Sequence, residues 1–225
     1  DTSITTVTAC ESYEWNDSTY TQSGTYYYND GVGNNYSMSF EGVDEKISID
    51  PNTDFIFDEG LNISFWGLTE IDLDSESFIY LRNNNLPNNP IIYVRHSEND
   101  FNQDNISIRG TSNEVNIPIE LPEQEWFYFA LSVNRINPST DLISIYLNGD
   151  SIYESEVSSL GILDFSDENT IGSGINLGSA PHEEWDYLQG SVDNVQIWNI
   201  YLNSEQINQY MTCPPIGNEN GLVGY

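Results

Sequence analysis

Basic side chains are scarce in this chain of 225 residues. Five lysines and arginines stand against 36 aspartates and glutamates, which gives a formal net charge of −31 at pH 7. Nucleic acids bind through a Lys/Arg footprint on the phosphate backbone, and anionic lipid surfaces attract polybasic segments. The composition therefore excludes both as partners. Salt or divalent cations screen an acidic surface, which favours a secreted or cell-surface location.

Long apolar runs and cysteines are also rare. No run approaches the roughly 20 apolar residues of a membrane-spanning helix, so the sequence predicts no membrane insertion. Cys10 and Cys213 lie near the two ends. An extracellular location permits a disulfide between them, and pairing with cysteines outside this sequence is the alternative. His96 and His182 are too few to form a zinc set.

The apolar content, in contrast, is ample for a folded core. Hydrophobic residues make up 38% of the chain and aromatics 13%, well above the level typical of a disordered acidic tail. Short runs of alternating apolar and polar residues, separated by turn residues, predict antiparallel strands. These runs lie at 37–40, 46–49, 61–66, 77–81, 91–95, 105–109, 114–117, 126–133, 142–147, 152–153 and 191–198.

Two local signals are sharper than the alternation. Asn148-Gly149 between two strands predicts a tight hairpin. Asn203 followed by Gln206 predicts a capping box at the start of a short helix, which Pro214 ends. The fold class expected from the residues is all-β, a sandwich or a barrel, with one short C-terminal helix.

Several phrases in chain order resemble laminin-G-like, concanavalin-A-like domains. They are SFEGVDEKI at 39–47, EWFYFA at 125–130, IYLNG at 145–149, GSVDNVQIW at 190–198 and LNSEQI at 202–207. The resemblance implies a two-sheet antiparallel jelly roll over residues 36–212, related to the pentraxins and legume lectins. The strand count independently predicts a sandwich.

Both ends of the chain resemble parts of longer proteins. Residues 1–35 hold ACESYEWN and TYTQSGTY, similar to a short β motif of secreted, multi-domain Bacteroidetes surface proteins. Residues 213–225 read as a linker and the start of a following laminin-G-like module. The resemblance therefore implies a module of a large adhesin-like protein, with neighbouring modules of the same chain among its partners.

Calcium is the cofactor that the resemblance implies, in a structural role. The family often holds it between the opening turn and the last strand, which corresponds here to Glu41, Asp44 and Asp193. Ordinary exposed acids, or neutralisation by Lys46, are the alternatives. A second cation site resembling that of pentraxins would use Asn83–Asn85 with the acids of the 183–186 segment.

A loop tryptophan is the candidate ligand platform. Trp185 lies among His182, Glu183, Glu184, Asp186 and Tyr187, and an exposed indole beside polar groups suits stacking on a sugar ring. Asn84 and Asn85 belong to an Asn-rich loop expected at the same edge. Packing of Trp185 as a lid is the alternative. Trp66, Trp126 and Trp198 lie in strand patterns and are expected to be packing residues.

The sequence EIDLDSE at 70–76 resembles the catalytic strand of laminarinase-type glucanases. Its carboxylates depart from that pattern at the position of the second catalytic glutamate. Asp74 has a side chain one methylene shorter than glutamate, and Glu76 lies two residues further along the strand. The function expected is therefore a non-catalytic extracellular module that binds carbohydrate or a cell-surface ligand, with calcium. A structural or protein-interaction spacer is the alternative, and a glycan-degrading enzyme is a remote one.

Overall fold

A computed structural model describes residues 7–8, 12–15, 18–21, 37–50, 55–69, 76–83, 85, 91–96, 105–175, 184–185, 187–215 and 217–225. Within these ranges the chain forms 19 strands and one helix. They are β1 Tyr13–Trp15, β2 Ser18–Tyr20, β3 Met38–Glu41, β4 Ile47–Ile49, β5 Ile56–Phe57, β6 Gly60–Thr69, β7 Glu76–Arg82, β8 Ile91–His96, β9 Asn105–Arg109, β10 Glu114–Pro118, β11 Phe127–Asn137, β12 Thr140–Leu147, β13 Asp150–Ser158, β14 Leu163–Asp164, β15 Glu168–Ile171, β16 Gly174–Ile175, β17 Glu184–Trp185, β18 Gln189–Trp198, α1 Ser204–Thr212 and β19 Leu222–Gly224.

Two antiparallel sheets make up the body of the molecule. The six-stranded sheet has the order β10-β9-β8-β7-β15-β4. The seven-stranded sheet has the order β13-β12-β11-β6-β18-β19, and β3 also pairs with β18. Three two-stranded pairs, β1-β2, β14-β5 and β16-β17, complete the described strands. The prediction of an all-β, two-sheet sandwich with a short C-terminal helix is confirmed.

The core lies between the two sheets, where alternate residues of each strand point inward. Phe65 of β6 stacks on Phe78 of β7 with ring centroids 5.4 Å apart, and Phe78 meets Phe127 of β11 edge-on at 5.5 Å. These contacts join one sheet to the other. Gly67 fits beneath them because a Cβ there would approach Phe78 and Phe127 to 2.9 Å.

A second, smaller core lies on the outer face of the seven-stranded sheet, beneath α1. Tyr128, Tyr146 and Trp198 of the sheet pack with Ile207 of the helix, and Trp198 contacts Tyr210 with ring centroids 4.6 Å apart. Strand β11 is therefore covered on both faces, as its nearly continuous apolar sequence predicts.

The helix begins where the sequence predicts. Asn203 accepts a hydrogen bond from the backbone N–H of Gln206 at 3.0 Å, and its own N–H donates to the Gln206 side chain at 3.1 Å. The predicted capping box is confirmed.

Two strands from opposite ends of the chain share one edge of β18. The first half of β18 pairs with β3, and Ile197 and Trp198 pair with β19. Between them the register against β6 shifts from Asp193 to Gln196, and Asn194 adopts φ 49°, typical of a β-bulge. Residues 222–224, interpreted from the sequence as part of a following module, thus complete this sheet.

Cys213 follows the helix and is disulfide-bonded. Its Sγ lies 3.8 Å from the carbonyl oxygen of Thr8, so the N-terminal segment passes the end of α1. Cys10 lies outside the described residues. No described helix is long and apolar enough to cross a membrane.

Replacement of Asn203 by Ala should lower the free energy of unfolding by about 1 kcal/mol, because it removes both bonds of the capping box. Urea unfolding followed by tryptophan fluorescence measures this. Gln209→Ala, an exposed position of the same helix, is the matched control and should leave stability nearly unchanged. Equal losses in the two variants would contradict the role of the cap.

Candidate functional site

Trp126 is a large exposed aromatic at the end of the seven-stranded sheet. Its side chain is 42% exposed, whereas the next residue, Phe127, is buried in the core between the sheets. Strand alternation places Trp126 on the same face as Tyr128, the outer face that α1 partly covers. The expectation that Trp126 is a packing residue is wrong, because the residue precedes β11 and lies beyond the cover of the helix. Trp198, in contrast, is buried as expected.

The β11–β6 register begins with the pair Phe127–Gly67, and continuing it by one residue places Trp126 opposite Leu68. Trp66 lies opposite Tyr128, with ring centroids 5.4 Å apart, and Asp193 lies opposite Trp66 on its other side. Ser191 lies opposite Leu68 in the neighbouring row. Ser191 is buried, so we define this surface, the tryptophan face, by Trp66, Leu68, Trp126 and Asp193.

Backbone hydrogen bonds hold the start of β11 in place. The carbonyl and N–H of Tyr128 bond the N–H and side-chain oxygen of Asn148, each at 2.8 Å. Asn148 adopts φ 52° in the predicted Asn-Gly hairpin, which is therefore confirmed. On the other side Gln124, at φ 55°, donates its N–H to the carbonyl of Thr69 at 3.1 Å. Trp126 thus projects from a fixed backbone.

Acidic side chains surround the tryptophan face. Asp193 is half-buried and accepts a bond from the N–H of Asn194 at 2.8 Å. Glu41 is exposed in register with Gln189, and Glu125 is exposed beside Trp126. Burial raises the pKa of Tyr225, and the nearby charges of Asp193 and Glu219 raise it further. The local field is therefore negative.

An exposed indole beside carboxylates has the chemistry needed to bind a sugar ring without a covalent bond. An indole face stacks on the apolar C–H face of a sugar, while carboxylates and hydroxyls accept or donate hydrogen bonds to its hydroxyl groups. The outer face of the six-stranded sheet has half-buried Tyr93 and Arg95, but several of its other side chains are closed to solvent. Tyr80, Arg82 and Ser107 on that face are each at most 4% exposed, and Arg82 stacks over the Tyr80 ring at 5.9 Å.

The three predicted calcium ligands do not converge. Glu41 is in register with Gln189, four residues from Asp193 on the same strand, a separation of about 13 Å at roughly 3.3 Å per residue. Calcium ligands must each lie within about 2.6 Å of the ion. Asp44 lies in the bend after β3, and the carboxylate of Glu45 accepts the N–H of Glu41 there. The described residues contain no group of three metal-ligating side chains.

The predicted ligand residues of the late loop lie near the Glu76 end of β7. Trp185 is in β17, with its backbone paired to Gly174 of β16. Tyr187 is half-buried, and the N–H of the following Leu188 donates to the carbonyl of Gly172 at 3.0 Å. His182 lies outside the described residues. The part of Trp185 and Tyr187 in ligand binding stays a prediction.

The Asn-rich loop follows the opposite end of β7. Asn85 donates its N–H to the side chain of Asn83, which in turn bonds Asp164 at 3.0 Å. The structure therefore places Asn85 and Trp185 beyond different ends of one strand and does not bring them to a common edge. Asn84 lies outside the described residues.

Glu76 is the carboxylate of the glucanase-like sequence EIDLDSE that lies within the described residues. It is fully buried. It accepts a hydrogen bond from the backbone N–H of Gln189 at 2.9 Å and so links β7 to the start of β18. Residues 70–75 lie outside the described ranges.

Comparison with known proteins identifies the family. The sequence model of Laminin_G_3, described as the Concanavalin A-like lectin/glucanases superfamily, matches residues 42–208. The chain belongs to this superfamily. The resemblance to concanavalin-A-like domains in the strand phrases is thereby confirmed. No curated protein matches the sequence.

Several solved structures share the fold of this chain. A SAP-like pentraxin from Limulus polyphemus is 16% identical, with TM-score 0.57, over 83% of this chain and 86% of that one. A putative carbohydrate binding protein from Bacteroides ovatus is 15% identical, with TM-score 0.57, over 83% of this chain and 49% of that one. A Ruminococcus gnavus sialidase CBM40, bound to α2,3-sialyllactose, is 14% identical, with TM-score 0.53, over 79% and 98%. At these identities the similarity establishes the fold alone.

Sequence reasoning missed Trp126 as a surface residue, although one signal was available. The acidic, proline-containing segment LPEQE precedes it directly, which is typical of a turn and not of a strand interior. A tryptophan at the boundary between a turn and a strand can lie beyond its sheet neighbours.

Replacement of Trp126 by Ala should change the free energy of unfolding by about 1 kcal/mol or less, as for other surface positions. The matched variant Trp198→Ala should cost about 3–5 kcal/mol, because it empties the core beneath α1. Urea denaturation of both variants measures the difference. A large loss from Trp126→Ala would mean that its side chain serves packing and not the surface.

Proposed function

We propose that this concanavalin A-like chain is a non-catalytic module that binds glycans by stacking a sugar ring on Trp126. The observation that carries the proposal is the 42% exposure of this tryptophan on a sheet face where Tyr128, Tyr146 and Trp198 are buried beneath a helix. An exposed indole offers an apolar face together with an N–H donor, and tryptophan is enriched at binding surfaces for this reason.

Neighbouring side chains extend the platform. When the β11–β6 register is continued by one residue beyond Phe127–Gly67, Trp66 lies diagonally from Trp126, and diagonal neighbours on a sheet are about 7–8 Å apart. Trp66 is half-buried, so part of its ring faces the surface. Asp193, half-buried on β18, flanks the rings and supplies carboxylate oxygens for sugar hydroxyls, whereas Ser191 on the same strand is buried. Successive rings of an oligosaccharide would thus contact both tryptophans.

The relatives support this function by analogy. One is named as a putative carbohydrate binding protein and another is a carbohydrate-binding module with a bound sialylated sugar. The match spans about half of the Bacteroides ovatus chain, which supports a module within a larger protein. We propose a secreted or cell-surface, adhesin-like protein of a bacteroidete as its setting, with neighbouring modules of the same chain as further partners.

The absence of catalysis is part of the proposal. A glycosidase of this fold needs two carboxyl groups flanking the scissile bond, about 5–5.5 Å apart in retaining enzymes. Glu76 is fully buried and bound to a backbone N–H, so it serves the fold. Calcium dependence is retained as a prediction, although Glu41, Asp44 and Asp193 do not fit one shared ion.

Trp126→Ala should abolish or weaken glycan binding at least tenfold, because it removes the stacking surface. The measurement is a glycan array with the purified chain, run with millimolar calcium and again with EDTA, followed by titration of the best binder. Ile152→Ala is the matched control, since Ile152 is similarly exposed on β13, an edge strand, and it should bind as the wild type does.

Two results would contradict the proposed site or function, and a third would establish the calcium dependence. Binding that survives Trp126→Ala but is lost in Trp185→Ala would move the site to the late loop. If the folded protein bound no glycan either with calcium or with EDTA, the result would favour a spacer, in which the sandwich only separates neighbouring modules. Release of bound glycan by EDTA would establish calcium dependence and require ligands other than the three acids named above.

A further inference from the structure

The charges around the tryptophan face are predominantly negative. Glu41 and Asp193 flank it on β3 and β18, and Glu123 and Glu125 are exposed in the segment that leads to Trp126. Lys46 is the cation of this region, but the segment EGVDEK at 41–46 that contains it holds three acids and remains negative. A ligand that stacks on Trp126 must approach these carboxylates.

The arginines of the chain lie elsewhere. Arg135 is in β11, nine residues from Trp126, or about 30 Å of extended strand, and it binds Asp141 at 2.6 Å. Arg109 contacts Glu114 at 3.6 Å on the outer side of the six-stranded sheet. Arg82 and Arg95 belong to β7 and β8 of that same sheet. No arginine is positioned to meet a ligand on the tryptophan face.

Anionic sugars require a cationic side chain such as arginine, which this face lacks. Sialic acids, uronic acids and sulfated sugars carry a negative group that proteins typically bind with the planar fork of an arginine. Carboxylates in the same place repel such a group, and the repulsion is partly screened by salt. A neutral sugar has no such conflict, because its hydroxyl groups donate hydrogen bonds to carboxylate oxygens.

We propose that the tryptophan face selects uncharged glycans and rejects sialylated, uronic or sulfated ones. This inference rests on the proposed function, since it specifies the ligand of the same site. It separates this chain from its structural neighbour in Ruminococcus gnavus, which holds a sialylated sugar on a similar fold. Selection would therefore follow from the charges on the outer sheet face and not from the fold.

The test compares each neutral glycan with an anionic derivative of the same glycan. N-acetyllactosamine is paired with its α2,3-sialylated form, and dextran is paired with dextran sulfate, all with millimolar calcium and again in EDTA. In each pair that binds, we expect the neutral member to bind at least tenfold more tightly. We call the ratio of the dissociation constants of the anionic and neutral members the affinity gap. This gap should narrow severalfold between 20 mM and 1 M NaCl, because salt screens the repulsion.

Charge variants identify the source of the selectivity. Glu41→Gln with Asp193→Asn removes two negative charges and leaves an oxygen that can still accept the N–H of Asn194. It should narrow the gap between the neutral and anionic members severalfold. Asp58→Asn with Glu156→Gln is the matched control, because it removes two exposed carboxylates of β13 and the β5–β6 turn. This control should leave the gap unchanged.

The outcomes separate the two proposals. Sialylated or sulfated glycans that bind as tightly as their neutral partners, and lose binding in Trp126→Ala, would overturn the selectivity and leave the proposed function standing. An unchanged gap in the Glu41/Asp193 variant would overturn the assignment to these charges. Failure of every neutral and anionic glycan on the array and in these pairs to bind the folded protein would overturn the proposed function, and the selectivity with it.

Discussion

The burial of both faces of β11 is the constraint on which the rest of the structure depends. Phe127 and Phe129 fill the core between the sheets, while Tyr128 and Ala130 point to the outer side and need a second cover. Helix α1 supplies it, but nine helical residues span only about 14 Å, whereas the eleven residues of β11 span about 36 Å. The helix therefore leaves one end of the sheet uncovered, and Trp126 lies at that end.

Much of the fold could be predicted because its signals are local. Alternation marked strands such as β9 and β18, Asn148-Gly149 marked the hairpin, and Asn203 with Gln206 marked the helix start. Strand β19 could not be predicted in this way. Its pairing with β18 joins residues of the two chain segments 197–198 and 222–224 across the helix, and such an edge pairing is set by tertiary packing and not by its three-residue sequence.

The candidate site was less predictable for the same reason. The exposure of Trp126 depends on where a helix some 80 residues later in the sequence ends over the sheet, which no local pattern encodes. Asp193 was correctly placed on the face opposite the buried Val192, because alternation is local. The distance between Asp193 and Glu41 depends on the register of β3 against β18. Alternation with a period of two residues fits several registers equally well, so it does not specify this distance.

The central claim, that glycan stacks on the outer sheet face at Trp126, is tested most directly by NMR of the indole N–H groups. The chain has five tryptophans, and Phe substitutions assign their signals individually. On titration with the best-binding glycan, the account predicts that the Trp126 signal shifts most, that Trp66 shifts less and that the buried Trp198 stays in place. Shifts confined to Trp185, with Trp126 unchanged, would contradict it.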